Sequence, residues 1–301
     1  RLGVHPAIPY CANYWATPAQ QPRAAQTKKY KSLDYLLVMI PPMSVTMENI
    51  ITRTIRFTLF TLVEYVRSAR ILIELIASVV FFYVFLRRWA STVPAEYFFS
   101  VVGLFSLILG FYTTTAMLAL GDRPQGYLIL SRRIGRGSYL IGLYLAALVV
   151  VWSIYGLISL AMALYNPIVG LTPVSWLLGT IPLLLNVALL SALLVLMAPM
   201  VLPTGARLLI LALIAIAFSG GLIGGQTLAE LPTTLTTTIN ILRTIFSTPL
   251  LPAFTGFALS VSRDYRGVAF AIPIAQFSLT LGILALALYA FARREIIFSG
   301  A

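Results

Sequence analysis

Two long apolar segments of this sequence are joined by the basic stretch Gly121-Asp122-Arg123-Pro124-Gln125-Gly126-Tyr127-Leu128-Ile129-Leu130-Ser131-Arg132-Arg133-Ile134-Gly135-Arg136-Gly137. The flanking segments, at 97–120 and 138–163, each provide the roughly 20 apolar residues that a helix needs to cross ~30 Å of hydrocarbon. Arginines concentrated in a short connection between two such segments are typical of the cytoplasmic side of a membrane protein. The stretch therefore predicts a membrane topology and a surface suited to a partner.

The composition of the whole chain also indicates a membrane protein. Hydrophobic residues make up 59% and charged residues 10% of the 301 positions, whereas a soluble domain has about 25% charged residues. We therefore predict an all-α, polytopic membrane protein. Its six transmembrane helices are expected at 70–87, 97–120, 138–163, 174–200, 207–225 and 267–292.

An irregular tail at 1–46 and an amphipathic helix at 49–68 are expected to precede the spans, with the membrane domain covering 47–301. The helix has apolar residues at spacings of three and four, and charged residues on the opposite face. Such a helix suits the headgroup boundary of a bilayer. The apolar face consists of Ile51, Ile55, Leu59, Leu62 and Val66, and the charged face of Arg53, Arg56, Glu64 and Arg67.

The distribution of arginines predicts the orientation of the chain. If both termini are cytoplasmic, most arginines lie on the inner side, as the positive-inside rule requires. Arg87 and Arg88, between the first two spans, are the exception. We therefore expect a multi-pass protein of the cell (inner) membrane with both termini inside.

Glycine and proline mark the second half of the chain. The outer connection at 226–266 contains prolines that predict two short helices. Overlapping G-x-x-x-G pairs indicate close helix packing, or else a hinge. Polar residues and prolines in the fourth and sixth spans would either face a cavity or pack against a neighbouring helix. The glycines are Gly220, Gly221, Gly224 and Gly225, and the span positions are Pro182, Asn186, Pro273 and Gln276.

Catalytic chemistry is hard to place in this sequence. Glu74 is the only acidic residue within a predicted span, so paired carboxylates are missing there. It lies four residues after Arg70, which predicts an interfacial ion pair, or alternatively a residue that lines a polar pathway. His5 and Cys11 are the only residues of their types, and no G-x-x-x-x-G-K-S/T phosphate loop occurs. We expect no enzyme activity, cofactor or metal, and no nucleic-acid partner.

The connection at 121–137 resembles that of a known family. Asp122 and Gly126, then Leu130-Ser131-Arg132, then the run from Arg136 to Gly142 follow the order found after the second span in permease subunits of type-2 ATP-binding-cassette exporters. The resemblance covers about 47–295. Arg133 stands where that family usually has proline, and Leu143 where a lysine often follows the glycine.

The resemblance implies a permease subunit that moves an unknown substrate with a separate P-loop ATPase subunit and a second permease chain. The ATPase would dock on the connection and on the surface helix, which carries Arg53, Arg56 and Arg67. A non-transporting structural subunit of a larger assembly, with other membrane subunits as partners, is the alternative. The implied ATPase contacts are Asp122, Arg123, Gly126, Tyr127, Leu128, Arg132, Arg133 and Arg136.

Overall fold

The computed structural model describes residues 43–87, 93–121, 135–165, 168–218, 241, 244–245 and 247–293; side chains are not described at 43–50, 215–218 and 249. The chain divides between Val45 and Thr46, and the unit that begins at Thr46 is the one considered below. Within the described ranges all regular structure is helical, apart from one isolated bridge between Pro94 and Val169.

Eight α-helices form the described part of the chain. A π-helical turn at Phe82–Leu86 extends the second helix, and 3-10 turns at Thr248–Leu250 and Gly267–Phe270 precede the last two helices. The helices are α1 (Met43–Arg67), α2 (Arg70–Phe81), α3 (Ala95–Gly121), α4 (Arg136–Tyr165), α5 (Pro173–Leu196), α6 (Thr204–Phe218), α7 (Leu251–Ser262) and α8 (Ala271–Arg293).

Four helices are long and apolar enough to cross a membrane: α3, α4, α5, and α8 with its preceding turn. Ile51–Arg67 and Arg70–Leu86 form a pair bent by 73°, which makes a fifth candidate if the pair is one span. The prediction of an all-helical protein with several membrane-length helices is therefore confirmed. Of the span predicted at 207–225, residues 219–225 lie outside the described ranges.

The corner between α1 and α2 is made by two residues. Ala69 adopts a left-handed conformation with φ of 57°, which is uncommon for a residue with a Cβ. The amide of Ser68 still bonds the carbonyl of Glu64, so α1 ends at the corner without fraying. The chain thus changes direction sharply just before the predicted first span.

Helix α5 is the centre of the bundle, because it contacts α3, α4, α7 and α8. It begins with a capping box in which Thr172 and Ser175 exchange hydrogen bonds, followed by proline at the first helical position. In the most apolar 18-residue segment of α5, 61% is buried inside the bundle, whereas in the corresponding segment of α8 only 17% is buried. Helix α8 is therefore peripheral and leaves most of its surface to the surroundings.

The bundle has two ends, which we name by one residue each. The Gly121 end holds the last turns of α3, α5 and α8 and the first turn of α4. At the Val93 end, the carbonyl of Val93 accepts a hydrogen bond from the amide of Val169 at 3.3 Å. Helix α3 runs parallel to α5 and antiparallel to α4.

The predicted outer connection contributes α7 to the bundle. Pro249 and Pro252 lie in the first turns of two short helices, where their fixed φ suits a helix start. The amide of Asn186 in α5 donates to the carbonyl of Ala253 at 3.0 Å. The ring of Phe257 in α7 lies against Gly103 in the first third of α3, so α7 packs within the Val93 half of the bundle.

Candidate functional site

Helix α1 packs on the Gly121 end through a face that the sequence pattern did not indicate. Its predicted apolar stripe is exposed: Ile51, Ile55, Leu59 and Val66 are each more than half exposed. The buried stripe lies beside it and is rich in hydroxyl groups, which can bond the carbonyl one turn back within the helix. The buried residues are Thr54, Phe57, Thr58, Thr61 and Tyr65.

The contact between α1 and α4 is centred on Phe57. Its ring lies 4.9 Å from the ring of Tyr139, centroid to centroid, and directly over Gly142. A Cβ at Gly142 would overlap the Phe57 ring, so only glycine allows this approach. The hydroxyl of Thr58 donates to the carbonyl of Gly142 at 3.4 Å. Helix α1 is thus fixed to the first turns of α4.

Tyr139 also joins the two ends of the basic connection. Its hydroxyl donates to the carbonyl of Gly121, the last residue of α3, at 2.6 Å. One guanidinium nitrogen of Arg136 donates to the carbonyl of Ala292 in α8 at 3.4 Å. The elements on either side of the connection are therefore bonded to each other, to α1 and to α8. We refer to this group, Phe57, Gly121, Arg136, Tyr139 and Gly142, as the α1–α4 junction.

The structure places four of the predicted surface arginines. Arg136 and the three arginines of α1 are all exposed. Arg136 belongs to the α1–α4 junction, Arg53 and Arg56 lie within about one turn of Phe57, and Arg67 lies ten residues farther along α1. The remaining predicted contacts, and the glycines predicted to pack helices, lie outside the described residues. The described arginines are Arg53, Arg56, Arg67 and Arg136. The predicted residues that lie outside the described ranges are Asp122, Arg123, Gly126, Tyr127, Leu128, Arg132, Arg133, Gly220, Gly221, Gly224 and Gly225.

The predicted ion pair between Arg70 and Glu74 is wrong. Both residues are described, yet no salt bridge joins them. Arg70 donates to the carbonyl of Ala116 at 3.0 Å. Glu74 is 1% exposed, and its Oε1 accepts hydrogen bonds from the hydroxyls of Tyr65 and Thr113, both at 2.5 Å. The glutamate turns into the bundle because α3 offers it a hydroxyl donor, while the arginine reaches a backbone carbonyl.

The carboxyl of Glu74 ties three helices together. Tyr65 belongs to α1, Glu74 to α2 and Thr113 to α3, and all three side chains are buried. The second carboxyl oxygen, Oε2, is buried and has no hydrogen-bond partner. A buried acceptor without a hydrogen-bond partner lowers stability. The hydroxyl groups of Tyr65 and Thr113, which donate to Oε1, are therefore the contacts that hold the carboxyl group in this position.

A second polar cluster, formed by Asn186, Gln276 and Gly256, lies between α5, α7 and α8. The side-chain amide of Gln276 donates to Oδ1 of Asn186 at 2.8 Å and to the carbonyl of Pro182 at 3.2 Å. Gln276 is fully buried, and it fits only because Gly256 has no side chain. The sequence left two interpretations open for Asn186 and Gln276, namely that they line a cavity or that they pack helices together. These contacts are helix packing.

Charge is unevenly distributed between the two ends. Seven arginines among the described residues lie toward the Gly121 end and three toward the Val93 end. Within the described part of the chain, no three His, Cys, Asp or Glu side chains are close enough to hold a metal ion. The arginines of the first group are Arg53, Arg56, Arg67, Arg70, Arg136, Arg207 and Arg293, and those of the second are Arg87, Arg263 and Arg266.

Comparison of the chain with family models, curated protein sequences and solved structures gives no match.

Proposed function

We propose that this chain is the six-span permease subunit of an ATP-binding-cassette exporter. A separate P-loop ATPase subunit would dock on the basic connection and on α1, and a second permease chain would complete the transport path. The observation that carries the proposal is the α1–α4 junction. It joins α1, which carries the exposed Arg53 and Arg56, to the residues that bracket the connection.

The junction also supplies a route by which movement of the connection would reach the spans. A displacement at Gly121 or Arg136 acts on Tyr139, and therefore on α4 and α1 together. Helix α4 is bonded to α5 through the hydroxyls of Tyr155 and Thr180, which are 2.7 Å apart. Rigid helices with specific contacts can transmit such a displacement across the bundle.

In this proposal the Gly121 end faces the cytoplasm of a cell membrane, with both termini inside. The excess of arginines toward that end supports the orientation, because positively charged residues are retained on the cytoplasmic side.

Co-purification of the full-length chain in mild detergent tests the function. We expect a stoichiometric P-loop ATPase with the wild type, and loss of the ATPase when Arg132, Arg133 and Arg136 are all changed to Glu. Arg263→Glu with Arg266→Glu, at the other end, is the matched control and should keep the ATPase. Large unrelated membrane subunits without an ATPase would instead support the structural-subunit alternative.

Cysteine labelling tests the orientation separately. Cys11 is the only cysteine, so a Cys11→Ser background allows one reporter at a time. An impermeant maleimide added to intact cells should label Ser262→Cys at once and Ser131→Cys only after permeabilisation. Labelling of Ser131→Cys in intact cells would overturn the orientation and the ATPase contact with it.

A further inference from the structure

A groove separates α2 from α4 on the outside of the bundle. Its volume is about 590 Å³, within the range of about 300 to 1,000 Å³ that is typical of small-molecule sites. The floor is apolar apart from Ser78 and is buried, with Ile154 3% and Ile158 4% exposed. The walls, which include Val79 and Leu157, are more than half exposed.

The groove is about as long as one membrane leaflet is thick. Its lining runs from Leu75 in α2 through the π-helical turn to Arg87, which at roughly 1.5 Å per residue corresponds to about 18 Å. Half of a ~30 Å hydrocarbon core is ~15 Å. An apolar groove of this length, parallel to membrane-length helices, matches an extended acyl chain.

The end of the groove toward the Val93 end is polar and cationic. The guanidinium carbon of Arg87 lies 4.8 Å from the centroid of the Tyr83 ring. This cation–π contact holds the arginine at this end of the groove. Tyr165, on the α4 side, is 81% exposed and packs edge-on against Phe82. Tyrosines at this level are typical of the boundary between hydrocarbon and headgroups, and arginine binds phosphate oxygens in a bidentate manner.

The backbone is specialised at the same place. Residues Phe82–Leu86 wind as a π-helix, directly before Arg87. Single π-helical turns are rare and are often found at functional sites. Here the turn ends at the residue that closes the groove, with the amide of Arg87 bonded to the carbonyl of Phe82 at 2.9 Å.

We propose that this groove binds a phospholipid with an anionic headgroup: one acyl chain lies between α2 and α4, and Arg87 holds the phosphate. The site gives a role to Arg87, which is an exception to the charge distribution of the chain. Charge complementarity favours an acidic lipid over a second copy of this strongly basic chain. The inference does not depend on the proposed transport function.

Native mass spectrometry of the full chain released from detergent measures the binding. Dioleoyl phosphatidylglycerol and dioleoyl phosphatidylcholine serve as the anionic and zwitterionic probes. Arg87→Gln tests the headgroup contact, Ala161→Trp fills the groove, and Arg266→Gln is the control arginine at the same end. Each variant is first checked for the monodisperse elution and melting temperature of the wild type, and Arg87→Lys is a second, milder headgroup variant.

We expect the wild type to bind phosphatidylglycerol about tenfold more tightly than phosphatidylcholine, the factor that corresponds to about 1.4 kcal/mol. Arg87→Gln should remove this preference by weakening phosphatidylglycerol more than phosphatidylcholine, because the phosphate of phosphatidylcholine already has its own choline cation beside it. Arg87→Lys should reduce the preference, and Ala161→Trp should weaken both lipids. Arg266→Gln should behave like the wild type, and millimolar inorganic phosphate should not displace the lipid.

Three results would overturn the proposal. One is equal affinity of the wild type for the two lipids, or a preference that survives Arg87→Gln. Another is displacement by inorganic phosphate, which would indicate a site for the free anion. The third is efficient disulfide formation between two Leu157→Cys chains in a Cys11→Ser background, unaffected by added phosphatidylglycerol, since the groove would then be an interface between copies.

Discussion

The hydroxyl of Tyr265 donates to the carbonyl of Leu178 at 2.7 Å, across 87 positions of sequence. Leu178 is four residues before Pro182, which has no amide hydrogen and leaves that carbonyl without its helical donor. Tyr265 therefore replaces the hydrogen bond that the proline removes from α5. Burial raises the pKa of the Tyr265 hydroxyl, so it remains a donor to higher pH than an ordinary tyrosine does.

Replacing Tyr265 with Phe should lower the free energy of unfolding by about 1 kcal/mol, because one partly buried carbonyl loses its donor. The corresponding fall in melting temperature, measured in detergent, is about 2 to 4 °C. In a Pro182→Ala background the helix regains its own donor, so Tyr265→Phe should have a much smaller effect. Equal effects in the two backgrounds would contradict the compensation.

The sequence predicts the long helices well because their signal is the length of an apolar run. The spans expected at 97–120 and 138–163 correspond to α3 and α4, and each observed helix extends the prediction by one or two residues at either end. A run of that length needs no tertiary information to indicate a membrane-length helix.

The polar contacts between helices could not be predicted in the same way. The bond between Tyr265 and Leu178 depends on where α7 and α8 meet α5, which hydropathy does not specify. Glu74 shows how a local pattern misleads: spacing of four suggests a pair with Arg70, whereas Thr113 of another helix supplies the partner. The buried face of α1 was missed because it contains threonines, and a threonine stripe does not register as apolar.

The approach of α7 to α8 depends on Gly256. A Cβ there would overlap the side-chain amide nitrogen of Gln276, so Gly256→Ala must displace a buried amide from Asn186. We expect a loss of about 2 to 4 kcal/mol in the free energy of unfolding, since overpacking and an unpaired amide both contribute. Chemical denaturation in mixed micelles measures the loss.

Gly156→Ala is the matched control for that substitution. Gly156 lies in α4 with nothing within 4 Å of its Cβ position, so alanine should be neutral or stabilise by up to about 1 kcal/mol. Adding Gln276→Ala to Gly256→Ala should recover part of the loss, because the overlap disappears. A double variant as unstable as the sum of the singles would show that the two residues are not coupled.

We expect the contact between Phe57 and Gly142 at the α1–α4 junction to limit local opening of α1. Gly142→Ala would push against the ring of Phe57 and loosen α1 from α4. Hydrogen–deuterium exchange of the α1 amides should rise about tenfold, which corresponds to about 1.4 kcal/mol less protection. Gly137→Ala is the control, since its Cβ would meet only Leu288 at an ordinary 3.9 Å. Unchanged exchange in Gly142→Ala would mean that α1 is held by other contacts.

The carboxyl group of Glu74 accepts hydrogen bonds from two other helices, and its replacement tests how much these bonds stabilise the bundle. Glu74→Ala leaves the buried hydroxyls of Tyr65 and Thr113 without their acceptor and should cost about 2 to 4 kcal/mol of unfolding free energy. Glu74→Gln keeps an acceptor at Oε1 and should cost less than about 1 kcal/mol.

A double-mutant cycle decides between this arrangement and an ion pair. Thr113→Val removes one of the two donors, so it should lessen the effect of Glu74→Ala, and the two substitutions should be strongly non-additive. Arg70→Gln should instead add to Glu74→Ala, because Arg70 bonds the carbonyl of Ala116. Melting curves of the singles and doubles supply both coupling energies. Coupling to Arg70 that exceeds coupling to Thr113 would restore the ion pair that the sequence spacing suggests, and would remove Glu74 as the link between α1, α2 and α3.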